Sequence, residues 1–328
     1  MSVLEAVRTD TGSATVPTRT FIRATEVWTL DQQSQRLTLS SGIYGGMDKF
    51  ALISGGESFG YGEGLPGRAW SQGGAIVLND LQGSYFKRTE AAEAEGLTCG
   101  VAIPVYSNTG FKAVVVFLCG ADSAHVGAIE VWQAGTLPGD SMTLADGYYG
   151  SAQHFEWISR RTHFPLGQGL PGRVWQDGRP VLIRDLGTSH RFIRSESAGA
   201  AGMTMGLGIP VSGNAPGCEV LALLSARGTP IARRFEIWSH AGGGRLRFED
   251  GVCEIEGAPH AANPAGFIQP GAGHIGRVAE TGIPRAIADL SDGANPCERA
   301  ALRHGFRSIV ALPVFGTEGL RNVVAWYF

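Results

Sequence analysis

Residues 167–186 read GQGLPGRVWQDGRPVLIRDL, and this stretch decides the fold. Proline suits the first turn of a helix and glycine suits its end, so the LPGRVWQDG segment predicts a short helix that stops at Gly178. The apolar run after this glycine predicts a strand. The same frame occurs at residues 64–81, and again at 273–290 with His274 and Ile275 in place of Leu-Pro.

The whole chain repeats in this register. Gly64, Gly169 and Gly273 open the three glycine-rich turns, at steps of 105 and 104 residues. Two further landmarks recur at nearly the same step, 103 to 106 residues: a Glu-Val-Trp or Glu-Ile-Trp tripeptide, and an Ile-Pro-Val or Leu-Pro-Val tripeptide. A period of this length is too long for a solenoid, so each copy is predicted to be a small domain. The predicted division is an N-terminal arm at 1–19 and repeats at 20–122, 123–228 and 229–328.

The same order of strands and helices is predicted for each copy. Two strands come first, then the glycine-rich turn with its helix, a strand, a second short helix, and two β-rich segments that form a hairpin. Interleaved helices and strands that end in a hairpin predict an α/β (α+β) module, with a mainly antiparallel sheet and short helices on one face.

Composition excludes several classes of function. The net charge is −3 with no basic stripe, which argues against nucleic-acid binding. The longest apolar run, near residues 113–119, is far shorter than the roughly 20 residues of a membrane span, so no membrane insertion is expected. Five cysteines without a CxxC pair favour free thiols in a reducing compartment, either the cytoplasm or an organelle.

The run at 167–186, the helix at 196–202 and the Ile-Pro-Val strand at 209–211 together resemble a GAF domain, the small-molecule sensor module of signalling proteins. Repeat 1 matches nearly as well, and repeat 3 keeps the frame in degenerate form. The resemblance implies a six-stranded sheet with helices on one side that form a ligand cavity. Family ligands include cyclic nucleotides, linear tetrapyrroles, haem, amino acids and small anions. No residue pattern selects one of these, so the cofactor stays open.

The segments between repeats have no room for the long helices that flank GAF domains in signalling proteins. One sheet face would then be bare. Strand side chains alternate, so Glu26 and Trp28 share a face, and we expect Trp28, Trp132 and Trp238 to lie on that bare face. Either neighbouring repeats or an outside protein partner would cover it.

Repeat 2 carries the richest set of candidate ligand-binding residues, and repeat 3 looks least able to hold a ligand. An aromatic wall with arginine and histidine would suit a small acidic or planar molecule. Arg173 and Asp185, twelve residues apart, could meet at the cavity rim to bind a ligand or to form a structural ion pair. The candidates are Trp157, Arg173, Trp175, Asp185, His190, Phe192 and Arg194.

Two functions remain open from the sequence. The first is a non-enzymatic, GAF-type binding or sensor module that acts through a separate partner protein. The second is a structural scaffold or linker subunit that docks within a larger multiprotein assembly. No nucleophile is placed beside a base, and the glycine-rich turn lacks the Lys-Ser/Thr ending of a phosphate-binding loop, so no enzymatic activity is expected.

Overall fold

The computed structural model of the chain describes residues 20–120, 126–137, 139–211, 217–226, 228–255 and 266–328, which leaves the predicted N-terminal arm outside the described residues. These residues form three modules, each built on one six-stranded antiparallel sheet. None of the helices in these ranges is long and apolar enough to cross a membrane.

Module 1 comprises β1 (Ile22–Asp31), β2 (Arg36–Ile43), α1 (Asp48–Gly56), β3 (Ser58–Phe59), α2 (Gly64–Gln72), β4 (Ile76–Leu78), α3 (Thr89–Ala94), β5 (Leu97–Ser107) and β6 (Gly110–Gly120). Module 2 comprises β7 (Val126–Ala134), β8 (Ser141–Gly150), α4 (Gln153–Ser159), β9 (Phe164–Pro165), α5 (Gly169–Asp177), β10 (Val181–Arg184), α6 (Ser195–Ala200), β11 (Met203–Val211) and β12 (Glu219–Ala226). Module 3 comprises β13 (Arg234–His240), β14 (Leu246–Cys253), β15 (Phe267–Ile268), α7 (Gly273–Thr281), β16 (Arg285–Ile287), α8 (Pro296–Arg303), β17 (Ile309–Gly316) and β18 (Gly319–Tyr327).

The strand order is the same in all three sheets. In module 1 it runs β3-β2-β1-β6-β5-β4, and modules 2 and 3 repeat it with their own strands. The first and last long strands of each module pair at the centre of the sheet, and the hairpin predicted from the sequence supplies the last two long strands. The α+β prediction, with a mainly antiparallel sheet, is confirmed.

The glycine-rich turn shapes the helix that follows it. Helices α2, α5 and α7 end at Gly73, Gly178 and Gly282, whose φ angles of 68°, 57° and 69° are left-handed, as the sequence predicted. Inside α5, a Cβ added at Gly172 would lie 2.3 Å from the Pro165 carbonyl oxygen. Only glycine lets the helix approach the preceding turn so closely.

Each sheet packs on both faces. One face carries the helices of its own module over a separate core. The opposite faces of the three sheets pack against one another in a single shared core, where Phe117 of module 1 and Trp326 of module 3 lie with ring centroids 6.0 Å apart. Neighbouring modules therefore cover the sheet face that the sequence left bare.

The tryptophans of the Glu-x-Trp tripeptides lie on the other face. Trp28, Trp132 and Trp238 are each 0% exposed in the helix-side cores. Trp28 packs edge-on against Phe59 at 4.8 Å, and Trp132 packs in the same way against Phe164 at 4.7 Å. The prediction that these three residues lie on the bare face is wrong, and so is their candidacy as a partner interface, because side chains without exposed surface cannot touch another protein.

The three modules close into a ring. The edge strand of each module packs on the second strand of the next: β4 on β8, β10 on β14 and β16 on β2. Hydrogen bonds cross each junction: Asn79 to Asp146, Arg184 to Asp250, and the Ala286 N–H to the Ser41 hydroxyl. At the centre, the Ile-Pro-Val and Leu-Pro-Val segments of β5, β11 and β17 surround an apolar gap of about 10 Å³. The side chains around the gap are apolar and offer a water no polar side-chain partner.

Candidate functional site

A buried polar network occupies the interior of module 1, between the sheet and its helices. The Glu26 carboxylate accepts hydrogen bonds from both terminal nitrogens of Arg88, with 2.9 Å between Oε2 and Nη2, and from Trp28 Nε1 at 3.0 Å. The Tyr44 hydroxyl donates to Glu26 Oε1 at 3.1 Å, and Arg88 also reaches the Ser54 hydroxyl. Glu26 and Arg88 are both buried, so each charge depends on the other.

Module 2 repeats this arrangement. Glu130 pairs with Arg194, with 2.8 Å between Oε2 and Nη2, and accepts from Trp132 Nε1 at 2.9 Å, while Arg194 contacts the Ser159 hydroxyl. Aromatic rings surround each guanidinium: the Arg194 carbon lies 4.6 Å from the Phe155 centroid and about as close to three other rings, those of Trp132, Phe164 and Phe192. The ion pair and its aromatic rings are therefore packed on the helix side of the sheet, where the sequence resemblance implied a ligand cavity.

The electrostatics of the network fix its charge state. Burial alone would raise the pKa of Glu26, but the charge and hydrogen bonds of Arg88, with hydrogen bonds from Ser54 and Trp28, outweigh it and hold the pKa below its ordinary value. Burial and the charge of Glu26 raise the pKa of Tyr44 well above its ordinary value. Glu26 is therefore ionised and Tyr44 is neutral at physiological pH.

Module 3 also has a buried ion pair, but a different arginine supplies it. Glu236 again accepts from the indole of its partner Trp238, at 2.9 Å, but the arginine now comes from β13 itself, where Arg234 pairs with Glu236. Arg234 stands where modules 1 and 2 have the small residues Ala24 and Ala128. In module 3 the arginine therefore comes from the first strand, whereas in modules 1 and 2 it comes from the segment before the last helix; all three modules contain the buried ion pair.

Sequence reasoning missed this network. Glu26 and Arg88 are 62 residues apart, and nothing local links them. The available signal was that Arg88 and Arg194 keep the repeat step, at the start of the second short helix of each copy.

An outward cleft lies beside the network in modules 1 and 2. In module 1 it runs between α1 and α3, has a volume of about 420 Å³, and is lined by Lys49, Phe50, Ile53, Glu57, Lys87, Arg88, Thr89, Glu90, Ala91, Ala94 and Glu95. In module 2 it runs between α4 and α6, has a volume of about 500 Å³, and is lined by His154, Ile158, Thr162, Ile193, Arg194, Ser195, Glu196, Ser197 and Ala200. Both volumes fall in the range of small-molecule sites.

Comparison with known proteins returns no matching family model and no matching curated protein. Solved structures similar to part of the chain include free methionine-R-sulfoxide reductase of Neisseria meningitidis, at 16% identity over 30% of this chain and 52% of that chain, TM-score 0.24. They also include a GAF domain of A. aeolicus, at 17% identity over 31% of this chain and 59% of that chain, with a TM-score of 0.25. A third is the GAF domain of a phosphoenolpyruvate-protein phosphotransferase of Coxiella burnetii, at 20% identity over 30% of this chain and 56% of that chain, with a TM-score of 0.25. This chain spans 52–59% of the length of these three proteins.

The six-stranded order with helices on one face is the architecture that the sequence resemblance implied. Each module has a GAF-like fold. In each GAF-like module the helix-side core is packed around the buried glutamate.

The structure separates most of the residues predicted to bind a ligand. Arg194 and Phe192 come together in the buried network, with 5.1 Å between guanidinium carbon and ring centroid. Trp175 is half-buried against the core of module 2. Trp157 is 52% exposed on α4, where Arg161 lies over its ring at 4.1 Å, and His190 is exposed in a loop. Of the seven predicted residues, Arg194 alone lines the cleft.

The helix arginines do not pair with the strand-end aspartates. Among the ion pairs of the described residues, none joins Arg173 to Asp185. Asp185 is exposed and has a φ of 55°, which turns the chain at the end of β10. In module 1 the equivalent Arg68 lies over the Tyr85 ring at 3.9 Å, and Asp80 accepts from the Gln82 N–H. The predicted ion pair does not form: Asp185 is exposed to solvent, and in module 1 the equivalent two groups have separate local partners.

No cluster suited to a metal is found in the part of the chain that the structure describes. The five cysteines are free thiols, and burial raises the pKa of Cys119 well above its ordinary value. Such a thiol is a poor nucleophile.

Proposed function

We propose that this chain is a non-enzymatic binding protein that takes a small molecule in the outer clefts of modules 1 and 2. The observation that carries the proposal is the equivalence of the two clefts. Both lie between the first and third helices of their module, and the buried arginine lines both. The ion pair and its aromatic rings occupy the helix side of the sheet, where the GAF resemblance implied a ligand cavity, and the cleft is a concave site beside them.

The lining of the clefts indicates the kind of ligand. Each cleft combines isoleucine with hydroxyl and charged side chains: Ile53 with Thr89 and Glu90 in module 1, and Ile158 with Ser195 and Glu196 in module 2. A polar metabolite with an apolar part would match this mixture. The three modules share one core, so a bound ligand is not expected to change their arrangement. A separate protein partner would instead recognise the ligand-bound module.

Paired variants test this site. Ile158 lines the cleft of module 2, whereas its neighbour Trp157 points outward and does not. In a thermal-shift screen of polar metabolites, a compound that stabilises the wild type should lose most of its effect with Ile158→Arg and keep it with Trp157→Arg. Ile53→Arg and Leu52→Arg form the same pair in module 1. The proposal fails if no compound stabilises the protein, or if the outward variants abolish the effect equally.

A second candidate is a scaffold inside a larger assembly. The observation that favours it is the ring of three modules around one core, which makes a rigid body with helices facing outward. Gel filtration of a fresh extract from the natural source should then show the protein in a large complex. A free monomer in that experiment would refute the scaffold.

A further inference from the structure

Module 3 has basic side chains where modules 1 and 2 have apolar ones. His274 on α7 occupies the position of Leu65 and Leu170, which are fully buried in the other helix-side cores. On the adjacent strand, Arg285 pairs with Ala311 in the register that joins Ile76 to Ala102 in module 1. Both replacements bring hydrogen-bond donors into a place that is apolar in the other modules.

These donors have no partners within the described residues. His274 is 4% exposed, and neither of its ring nitrogens makes a hydrogen bond. Nε of Arg285 is also buried without a partner. A buried polar group that stays unpaired destabilises the folded chain, so a stable protein is expected to satisfy both groups.

The unpaired groups lie together. Burial lowers the pKa of His274, and the nearby charges of Arg285 and Arg277 lower it further; the Asp292 carbonyl, which lies near the ring but outside hydrogen-bond geometry, and the Asp292 carboxylate act against them. Arg277 is exposed and sits one helical turn after His274, and its guanidinium lies 3.9 Å from the position that a Cβ on Gly293 would take. Arg285 is only partly buried, so this corner between α7 and β16 reaches solvent.

The buried acid of this corner is already satisfied. Glu298 Oε1 accepts the backbone N–H groups of His274 at 2.8 Å and Ile275 at 2.9 Å. Its other oxygen accepts the Asn295 N–H at 2.9 Å. With Glu298 used by the backbone, the histidine and arginine donors still need acceptor oxygens.

We propose that module 3 binds a small carboxylate or oxyanion between His274, Arg285 and Arg277. Its oxygens accept from one imidazole N–H and from Nε of Arg285, and Arg277 closes the site from the solvent side. Charge-assisted hydrogen bonds of this kind suit carboxylates, nitrate and phosphate alike. The site is separate from the clefts of modules 1 and 2 and does not depend on them.

The test uses the full chain and the residues of its own other modules. Sodium acetate, nitrate, phosphate and chloride are each titrated in a thermal-shift assay with wild type, His274→Leu, Arg285→Ile and the exposed control His240→Leu. We expect at least one anion to stabilise the wild type in a saturable way. Its half-saturating concentration should rise about tenfold or more in the two site variants and stay unchanged in His240→Leu.

Two results would overturn the proposal. One is an equal response of wild type and both site variants to all four anions. The other is a His274→Leu protein that is more stable than wild type while neither responds saturably to any anion, which would mean that an ordered water satisfies the histidine. A failure here would leave the cleft proposal intact, because Ile158→Arg tests a different module.

Discussion

At the scale of single residues, the buried glutamates organise each module. The alternation rule correctly placed Glu26 and Trp28 on one face, but it could not say which face is toward the helices. That choice depends on packing, since Val27 points into the shared core of three modules. In modules 1 and 2 the arginine partners lie more than 60 residues away in sequence, and long-range pairing of this kind leaves no local pattern.

Removal of one partner of the buried pair should be costly. Arg194→Leu leaves Glu130 charged and unpaired inside module 2, which should lower the free energy of unfolding by about 3–5 kcal/mol. The double variant Glu130→Leu/Arg194→Leu should be less destabilised than Arg194→Leu alone, since no isolated charge remains. Arg191→Leu, at an exposed position, should change stability by less than about 0.5 kcal/mol. Urea unfolding measures these free energies. Equal free energies of unfolding for Arg194→Leu and the double variant would contradict the role of the ion pair.

A surface carboxylate in module 1 predicts a pH dependence. Hydrogen bonds from Lys87, the Gly60 N–H and Arg36 lower the pKa of Glu63 to about 2. Because the pKa of Glu63 is lower in the folded chain than its ordinary value of 4.5, the ionised carboxylate stabilises the protein fully at pH values above 4.5. This contribution is lost as the pH falls from 4.5 toward 2. Glu63→Gln, which installs the Gln168 of module 2, should lower the melting temperature slightly at pH 7, by no more than about 1 kcal/mol in stability. Melting curves of the two proteins should converge by pH 2–3; a constant difference would refute this role.

At the scale of elements, the glycine-rich turn and its helix were predictable because their signals are local. The stops at Gly73, Gly178 and Gly282 follow from glycine's access to left-handed φ. Helices α1 and α4 and the two-residue edge strands were not predicted. Their sequences differ between repeats, and tertiary contacts hold them: α1 and α4 pack on the second strand and on the second short helix of their module, and each two-residue strand pairs with that second strand.

Close approach at the glycine-rich turn reverses the usual effect of alanine. Gly172→Ala would force a Cβ to within 2.3 Å of the Pro165 carbonyl oxygen and should destabilise the protein by about 1–3 kcal/mol. Gly55→Ala, in α1 with open space around the added atom, should be neutral or stabilise by up to about 1 kcal/mol. Thermal melts of the two variants give the comparison, and equal effects would show that the turn relaxes at little cost.

At the scale of the whole molecule, the repeat predicted three modules but not how they join. The long strands carry apolar side chains on both faces, which indicates that the face opposite the helices is also buried. What the sequence could not show was that three such faces meet one another, since a ring needs complementary edges that are far apart in the chain. The contacts of β16 with β2 join segments more than 240 residues apart.

A shared core should make the three modules unfold together. Ile209 of β11 lies in that core beside residues of modules 1 and 3, so Ile209→Ala should cost about 2–5 kcal/mol and lower the stability of the whole chain. Scanning calorimetry should show one transition for the wild type, shifted as a unit by Ile209→Ala and unmoved by Leu137→Ala at an exposed position. If instead calorimetry resolved separate transitions and only one moved with Ile209→Ala, each module would be stable alone. The shared core would then be a contact between independent domains, and a ligand bound to one module could not bias the other two through it.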